Sequence, residues 1–293
     1  MQELLTDPAI QAAVAPFTVA LVLALVLRRF LPGGLGLAIV GGFVVTVLLT
    51  TGLALQPLTA TRKIIICSVL LPFVVLLLER VSAMPRSVGL RRTFQVLPAL
   101  LLATAALWII WPVVQRQEGM AVLIMAGPVM LYAAVLAYGI GVLGRVQKTA
   151  FSAQAASALM LATGTGVTTL IAASALYSQL AFAVSAATGA VIVVGLLGAA
   201  EKPVRLGMLA VYAAAVPVVL LASAATVYAQ LPVSVLLCLA LVPLFAGLLL
   251  IEPVRLIKLQ QRWLKLIVAC LWVSIPVLLA VWLTWRAAGP VSF

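Results

Sequence analysis

The chain has no histidine, only six acidic residues, and charge on just 8% of its 293 positions. Each scarcity excludes something. Without histidine the chain lacks the commonest metal ligand, the usual haem ligand and the side chain most used to move protons near neutral pH. Its three cysteines, Cys67, Cys238 and Cys270, stand in three separate apolar segments with no CxxC or other ligand spacing. They read as buried apolar residues, so neither a metal site nor a cofactor is expected. A soluble domain carries about a quarter of its residues as charges; this chain falls far short.

What is abundant is apolar sequence: 66% of the residues, with a mean hydropathy of +1.31. Runs of 18 residues or more recur, each able to cross a hydrocarbon core of roughly 30 Å. A membrane β-barrel would alternate in polarity instead. The fold class expected is therefore all-α, a polytopic integral membrane helical bundle with nine or ten transmembrane helices. Ten apolar segments can be drawn, at 9–27, 35–55, 64–78, 96–114, 120–143, 150–176, 180–197, 206–229, 231–251 and 266–285. The connections between them are short, so 1–293 reads as a single transmembrane domain with no soluble domain. The first segment follows Glu3 and Asp7 rather than a basic stretch, and it ends at Arg28 and Arg29. It reads as an uncleaved span, not a signal peptide.

The net charge of +12 comes from 18 Lys and Arg, which sit in the breaks between apolar runs. No nucleic-acid motif accompanies them, so no nucleic-acid partner is expected. The positive-inside rule and anionic lipid headgroups account for the charge. With ten spans and the N-terminus outside, 14 basic residues face the cytoplasm, and Arg62, Lys63, Arg116 and Arg286 lie outside. Segment 64–78 complicates this. Its 15 residues make about 22 Å of helix at roughly 1.5 Å per residue, and Pro72 lies near its middle. If it re-enters, nine spans remain and the N-terminus moves inside, again with 14 basic residues on the cytoplasmic side. The C-terminus is outside in both arrangements. Trp108, Trp111, Trp282 and Trp285 fall at the outer interface and Trp263 at the inner one, as an aromatic belt requires. A bacterial-type inner (plasma) membrane suits this pattern.

No charged residue falls near a segment midpoint, which argues against an ion-coupled pump or a charged filter. Titratable groups for intramembrane acid–base chemistry are likewise confined to the interfaces, so an enzyme is not the favoured reading. The candidate pathway is a hydroxyl- and glycine-rich stretch: Thr163, Gly164, Thr165, Gly166, Thr168 and Thr169, followed by Ser185, Thr188 and Gly189 on the next segment. Such residues either let helices pack closely or line a route for a neutral solute, with the two glycines loosening 163–169. Prolines at 72, 128, 217, 243 and 276 predict kinks.

Two basic clusters are candidate contacts for lipid headgroups or a partner. Arg62 and Lys63, with Thr59 and Thr61, break the charge rule on the outer side. Arg255, Lys258, Arg262 and Lys265 recur every three or four residues, as in a basic helix lying in the headgroup region. Expected partners are anionic lipids at the cytoplasmic face, and other membrane subunits or a second copy of the chain.

Ten spans in under 300 residues, together with the stretch LVPLFAGLLLIEP at 241–253, resemble the drug/metabolite transporter superfamily. That resemblance implies two five-helix halves in inverted repeat, with both termini cytoplasmic. The sequence departs from it in placing the C-terminus outside. It departs also in the first-half echo, Pro72 with Glu79–Arg80, which follows the third segment and not the fourth. Two functions remain from the sequence. One is a carrier or flippase for a neutral, amphipathic or lipid-like molecule; the other is a non-catalytic accessory or scaffold subunit of a larger membrane complex.

Overall fold

The computed structural model describes residues 7–31, 34–52, 56–82, 88–145, 151–197, 206–249 and 261–289. Among them the chain forms ten helices and no strand. They are α1 (Ile10–Phe30), α2 (Leu35–Thr50), α3 (Ala60–Ser82), α4 (Val88–Val114), α5 (Met120–Arg145), α6 (Phe151–Ile171), α7 (Ala175–Leu196), α8 (Gly207–Tyr228), α9 (Val233–Leu248) and α10 (Arg262–Ala288). Seven of these are long and apolar enough to cross a membrane: α1, α3, α4, α5, α7, α8 and α10. The chain is a polytopic integral membrane protein with an all-helical bundle fold.

Three helices fall outside that set for visible reasons. α2 stops at Thr50, not at 55, because Gly52 takes a left-handed φ of 68° and returns its N–H to the Val47 carbonyl, a glycine-type helix stop. α9 is broken at Leu241 into Val233–Ala240 and Val242–Leu248, since Pro243 cannot donate to the turn before it. α6 has 21 residues but is diluted by Gln154 and its Ser and Thr residues.

The segment that looked too short to cross is the middle of α3. The helix continues through Pro72 for 23 residues, roughly 35 Å at 1.5 Å per residue. Its first turn touches the last turns of α4 through Lys63 and Trp108. Its later residues Leu71 and Val75 meet Pro98 and Leu102 of α4 and Tyr212 of α8. α3 therefore runs beside α4 and α8 for most of their length. The re-entry alternative rested on the 15 residues of 64–78 and on Pro72 near their middle; the helix extends beyond both ends of that segment and runs through the proline.

α8 is the central post. It touches α2, α3, α4, α5, α6 and α7 and, more lightly, α9, and 94% of its apolar window is buried, against 22% for α1. Its sequence explains this: apolar on every side and rich in alanine, it lets seven helices approach closely. Gly36 of α2 seats directly on the α8 backbone, where a Cβ would stand 2.6 Å from the Ala210 nitrogen.

The two ends of the bundle are tied differently. At one end Gln11 donates to the Leu49 carbonyl, Lys63 to Trp108 and Tyr228 to Ile109. At the other, Arg28 donates to the Val194 carbonyl and Gln154 to Leu143. Each of these last two satisfies a carbonyl near a helix C-terminus that lacks an intrahelical partner. Of the described cations, Arg62, Lys63, Arg116 and Arg286 mark the first end. Arg28, Arg29, Arg80, Arg262 and Lys265 mark the second.

Candidate functional site

The hydroxyl-rich stretch lies in α6, packed against α7, α8, α9 and α10. The two glycines do not loosen it. Gly164 accepts Val277 of α10, where an added Cβ would meet the valine methyl at 2.7 Å, and Gly166 accepts the Phe182 ring of α7 at 2.8 Å. The helix runs unbroken through both glycines, and most of its threonine hydroxyls fold back onto its own carbonyls. Thr168 donates to the Gly164 carbonyl at 2.9 Å and Thr169 to Thr165 at 2.7 Å. Thr163 donates back to Leu159 and also pairs with Ser185 of α7 at 2.8 Å. Of the two alternatives drawn from the sequence, local loosening is not seen in the helix, and the two glycines serve as seats for neighbouring side chains.

Not every hydroxyl is consumed this way. Thr165 on α6, Thr188 on α7 and Ser223 on α8 are fully buried, and their hydroxyl oxygens have no hydrogen-bond partner. The three helices pack on one another. Ser68 of α3 and Tyr132 of α5 carry further unpartnered hydroxyls. An unsatisfied buried hydroxyl costs on the order of 1–3 kcal/mol, so a set of them within one bundle asks for an explanation. Ser223 was overlooked in the sequence, where it is a lone polar residue in an alanine-rich run. The described apolar cleft between α3, α4 and α8, lined by Leu71, Val75, Leu101, Leu102 and Val216, has no polar wall and no room for a water.

The second candidate lies at the ends of α3, α4, α7 and α8. Pro112 of α4 has no N–H, which leaves the Trp108 carbonyl without its helical partner. Lys63 fills the gap: its Nζ donates to that carbonyl at 3.0 Å and sits 4.8 Å from the centre of the Trp108 ring. Lys63 is only 8% exposed. Among the described residues no carboxylate pairs with it. Near the same helix ends, Tyr177 stands close to Thr61 and Tyr228, and Tyr228 donates its hydroxyl to the Ile109 carbonyl at 3.1 Å.

Arg62 and Thr59 are differently occupied. The Arg62 guanidinium turns back to the Pro57 carbonyl. The Thr59 hydroxyl accepts the Arg62 N–H at 3.4 Å, the bond of an N-cap. Arg62 and Lys63, adjacent in sequence, therefore do unlike things. Sequence reading missed Tyr177, Tyr228 and the role of Trp108. The available signal was a proline four residues after the tryptophan.

The second basic cluster is not one helix. Gln261 is extended, with φ −87° and ψ 128°, and α10 begins immediately after it. Arg262 and Lys265 thus belong to the first turn of a long membrane helix; Arg255 and Lys258 lie outside the described residues. Trp263 is half exposed at the same level, and Trp108, Trp111, Trp282 and Trp285 are partly exposed at the opposite end. Arg286 stacks 4.9 Å from the Trp282 ring centre.

Compared with protein-family models, with curated proteins and with solved structures, the chain finds no match in any of the three.

Proposed function

We propose that this protein is a carrier or flippase for a neutral, amphipathic or lipid-like molecule, with its pathway closed in the state described above. The observation that carries the reading is the set of buried, unpartnered hydroxyls of Thr165, Thr188 and Ser223 on three helices in mutual contact. They retain hydrogen-bonding capacity where packing alone would favour alanine or valine, and a passing hydroxyl or ester group would use it. The 163–169 stretch borders this seam and opens it by separation of α6 from α7 and α10. The break in α9 supports the reading, since interrupted helices recur beside carrier sites. In the same proposal the end rich in arginine faces the cytoplasm of a bacterial-type inner membrane, where Arg262 and Lys265 meet anionic headgroups. The C-terminus is then outside.

The experiment is translocation of a fluorescent-headgroup phospholipid in reconstituted vesicles, read by its bleaching with an impermeant reductant. Thr165→Val, Thr188→Val and Ser223→Ala combined should leave folded yield unchanged or higher, because orphaned hydroxyls are removed. The same variant should reduce lipid translocation to the protein-free rate. A wild type no faster than empty vesicles, or a triple variant as fast as wild type, sinks the proposal.

One observation favours the second reading, a non-catalytic accessory or scaffold subunit. Gly164 and Gly166 are filled by Val277 and Phe182, as in a static packing joint. On that reading mild-detergent extraction from native membranes yields the chain with a stoichiometric membrane partner.

A further inference from the structure

We infer that the substrate reaches the buried hydroxyls sideways from the bilayer, along the line where α6 meets α7, and that the Thr163–Ser185 hydrogen bond latches this entrance. This rests on the carrier reading and narrows its substrate to a lipid, whose chains stay in the bilayer while the polar group enters the seam. The line lies on the outside of the bundle. Thr163 and Val167 of α6, with Phe182, Ser185, Gly189 and Val193 of α7, are incompletely buried, although both helices are mostly buried elsewhere. Thr188, fully buried and unpartnered, stands next to Gly189 and one turn beyond Ser185. It lies about 12 Å of helix from one end of α7 and about 20 Å from the other. A hydroxyl at that depth, one residue from a half-exposed glycine, is nearer to acyl chains than to water. Gly189 leaves a notch beside it, since an added Cβ would meet nothing within 4 Å.

Two contacts close the line here, and both can be exchanged for lipid at little cost. Thr163 spends its proton on the Leu159 carbonyl at 2.9 Å, so in the 2.8 Å pair the Ser185 hydroxyl is the donor. When α6 and α7 part, Thr163 keeps its own bond. Ser185 needs a new acceptor, and a helical serine finds one in the carbonyl four residues back, as Thr168 and Thr169 do. No donor is then stranded in the hydrocarbon, where an unsatisfied one is costly. One turn away the Phe182 ring lies against Gly166, and lipid chains are as apolar as the seat it would leave. Thr165 and Thr188, by contrast, have no partner in the closed state. Opening therefore presents to the entering group hydroxyls that are still free to bond it.

The test replaces the latch by a bond that can be made and broken. In Thr163→Cys combined with Ser185→Cys, sulfurs take the place of oxygens 2.8 Å apart and close to about 2.05 Å on oxidation. The full-length protein is reconstituted in phosphatidylcholine vesicles. Translocation is followed with a phosphatidylcholine carrying a short fluorescent chain, extracted onto external albumin so that no reductant touches the disulfide. Oxidation should bring the double variant to the protein-free rate, and dithiothreitol should restore it. Each single cysteine variant controls for Cys67, Cys238 and Cys270 and should be indifferent to the oxidant. Ser185→Ala loses the latch and leaves Thr163 its Leu159 carbonyl. It should translocate about threefold faster, as the loss of one interhelical hydrogen bond in a membrane allows. A cross-linked protein as fast as its reduced form overturns the lateral entrance and leaves the carrier reading standing. A wild type no faster than empty vesicles defeats both. If the double-cysteine variant does not fold, Ser185→Ala decides, and a rate at or below wild type overturns the latch.

Discussion

Glycines that look alike in the sequence meet different surroundings, and the difference can be measured. Gly36 lies against the α8 backbone, so the methyl of Gly36→Ala would stand 2.6 Å from the Ala210 nitrogen. A backbone cannot step aside as a side-chain tip can, so the α2–α8 joint must open. Gly127 and Gly189 have nothing within 4 Å of the same methyl position, and alanine there gains helix propensity of up to about 1 kcal/mol. In detergent, Gly36→Ala should cost most of the folded yield. Gly127→Ala and Gly189→Ala should unfold at or slightly above the wild-type midpoint. Equal loss in all three would mean that close approach to α8 is not what Gly36 provides.

At the scale of elements, prolines act through the carbonyls they release. Pro112 leaves the Trp108 carbonyl unpaired, and a lysine from α3 takes it. A double-mutant cycle tests this coupling. Lys63→Met should destabilise by about 1–3 kcal/mol, the cost of an orphaned buried acceptor. In a Pro112→Ala background residue 112 regains its N–H, so the same lysine change should cost much less. Additive effects would show that the lysine is held by the tryptophan ring or by solvent, and not by the released carbonyl. Pro243 breaks α9, whereas Pro72, Pro128, Pro217 and Pro276 lie within continuous helices. A list of proline positions could not separate these cases, because the outcome depends on whether neighbouring helices hold the two halves in line.

For the whole molecule, the proposed orientation can be tested. If all ten helices cross, with the basic end in the cytoplasm, Phe293 and the N-terminal residues lie on the outer side. Alkaline phosphatase fused after Phe293 should be active and a fluorescent protein at the same position dark; an N-terminal tag should be reachable from outside the cell. A bright C-terminal fusion would reverse the proposed orientation. An N-terminal tag accessible only from the cytoplasm would restore the nine-span arrangement despite the 23 residues of α3.

The sequence by itself determined the class. Apolar run length against bilayer thickness is a local quantity, as is the position of lysine and arginine in the breaks, and both are legible without tertiary contacts. The candidate residues were also drawn from it: the Thr and Gly stretch by composition, Arg62 and Lys63 by their departure from the charge rule. The tertiary structure alone decided their roles. Whether Gly164 loosens a helix or seats Val277 depends on what stands opposite. Thr168 and Thr169 spend their hydroxyls on their own helix while Thr165 does not. Lys63 is buried on a carbonyl 45 residues away while Arg62 folds back on its own loop. Inside a bilayer nearly every helix is apolar, so hydrophobicity carries little information about which faces meet. Small-residue fit and the few polar groups settle that, and both are properties of pairs of helices.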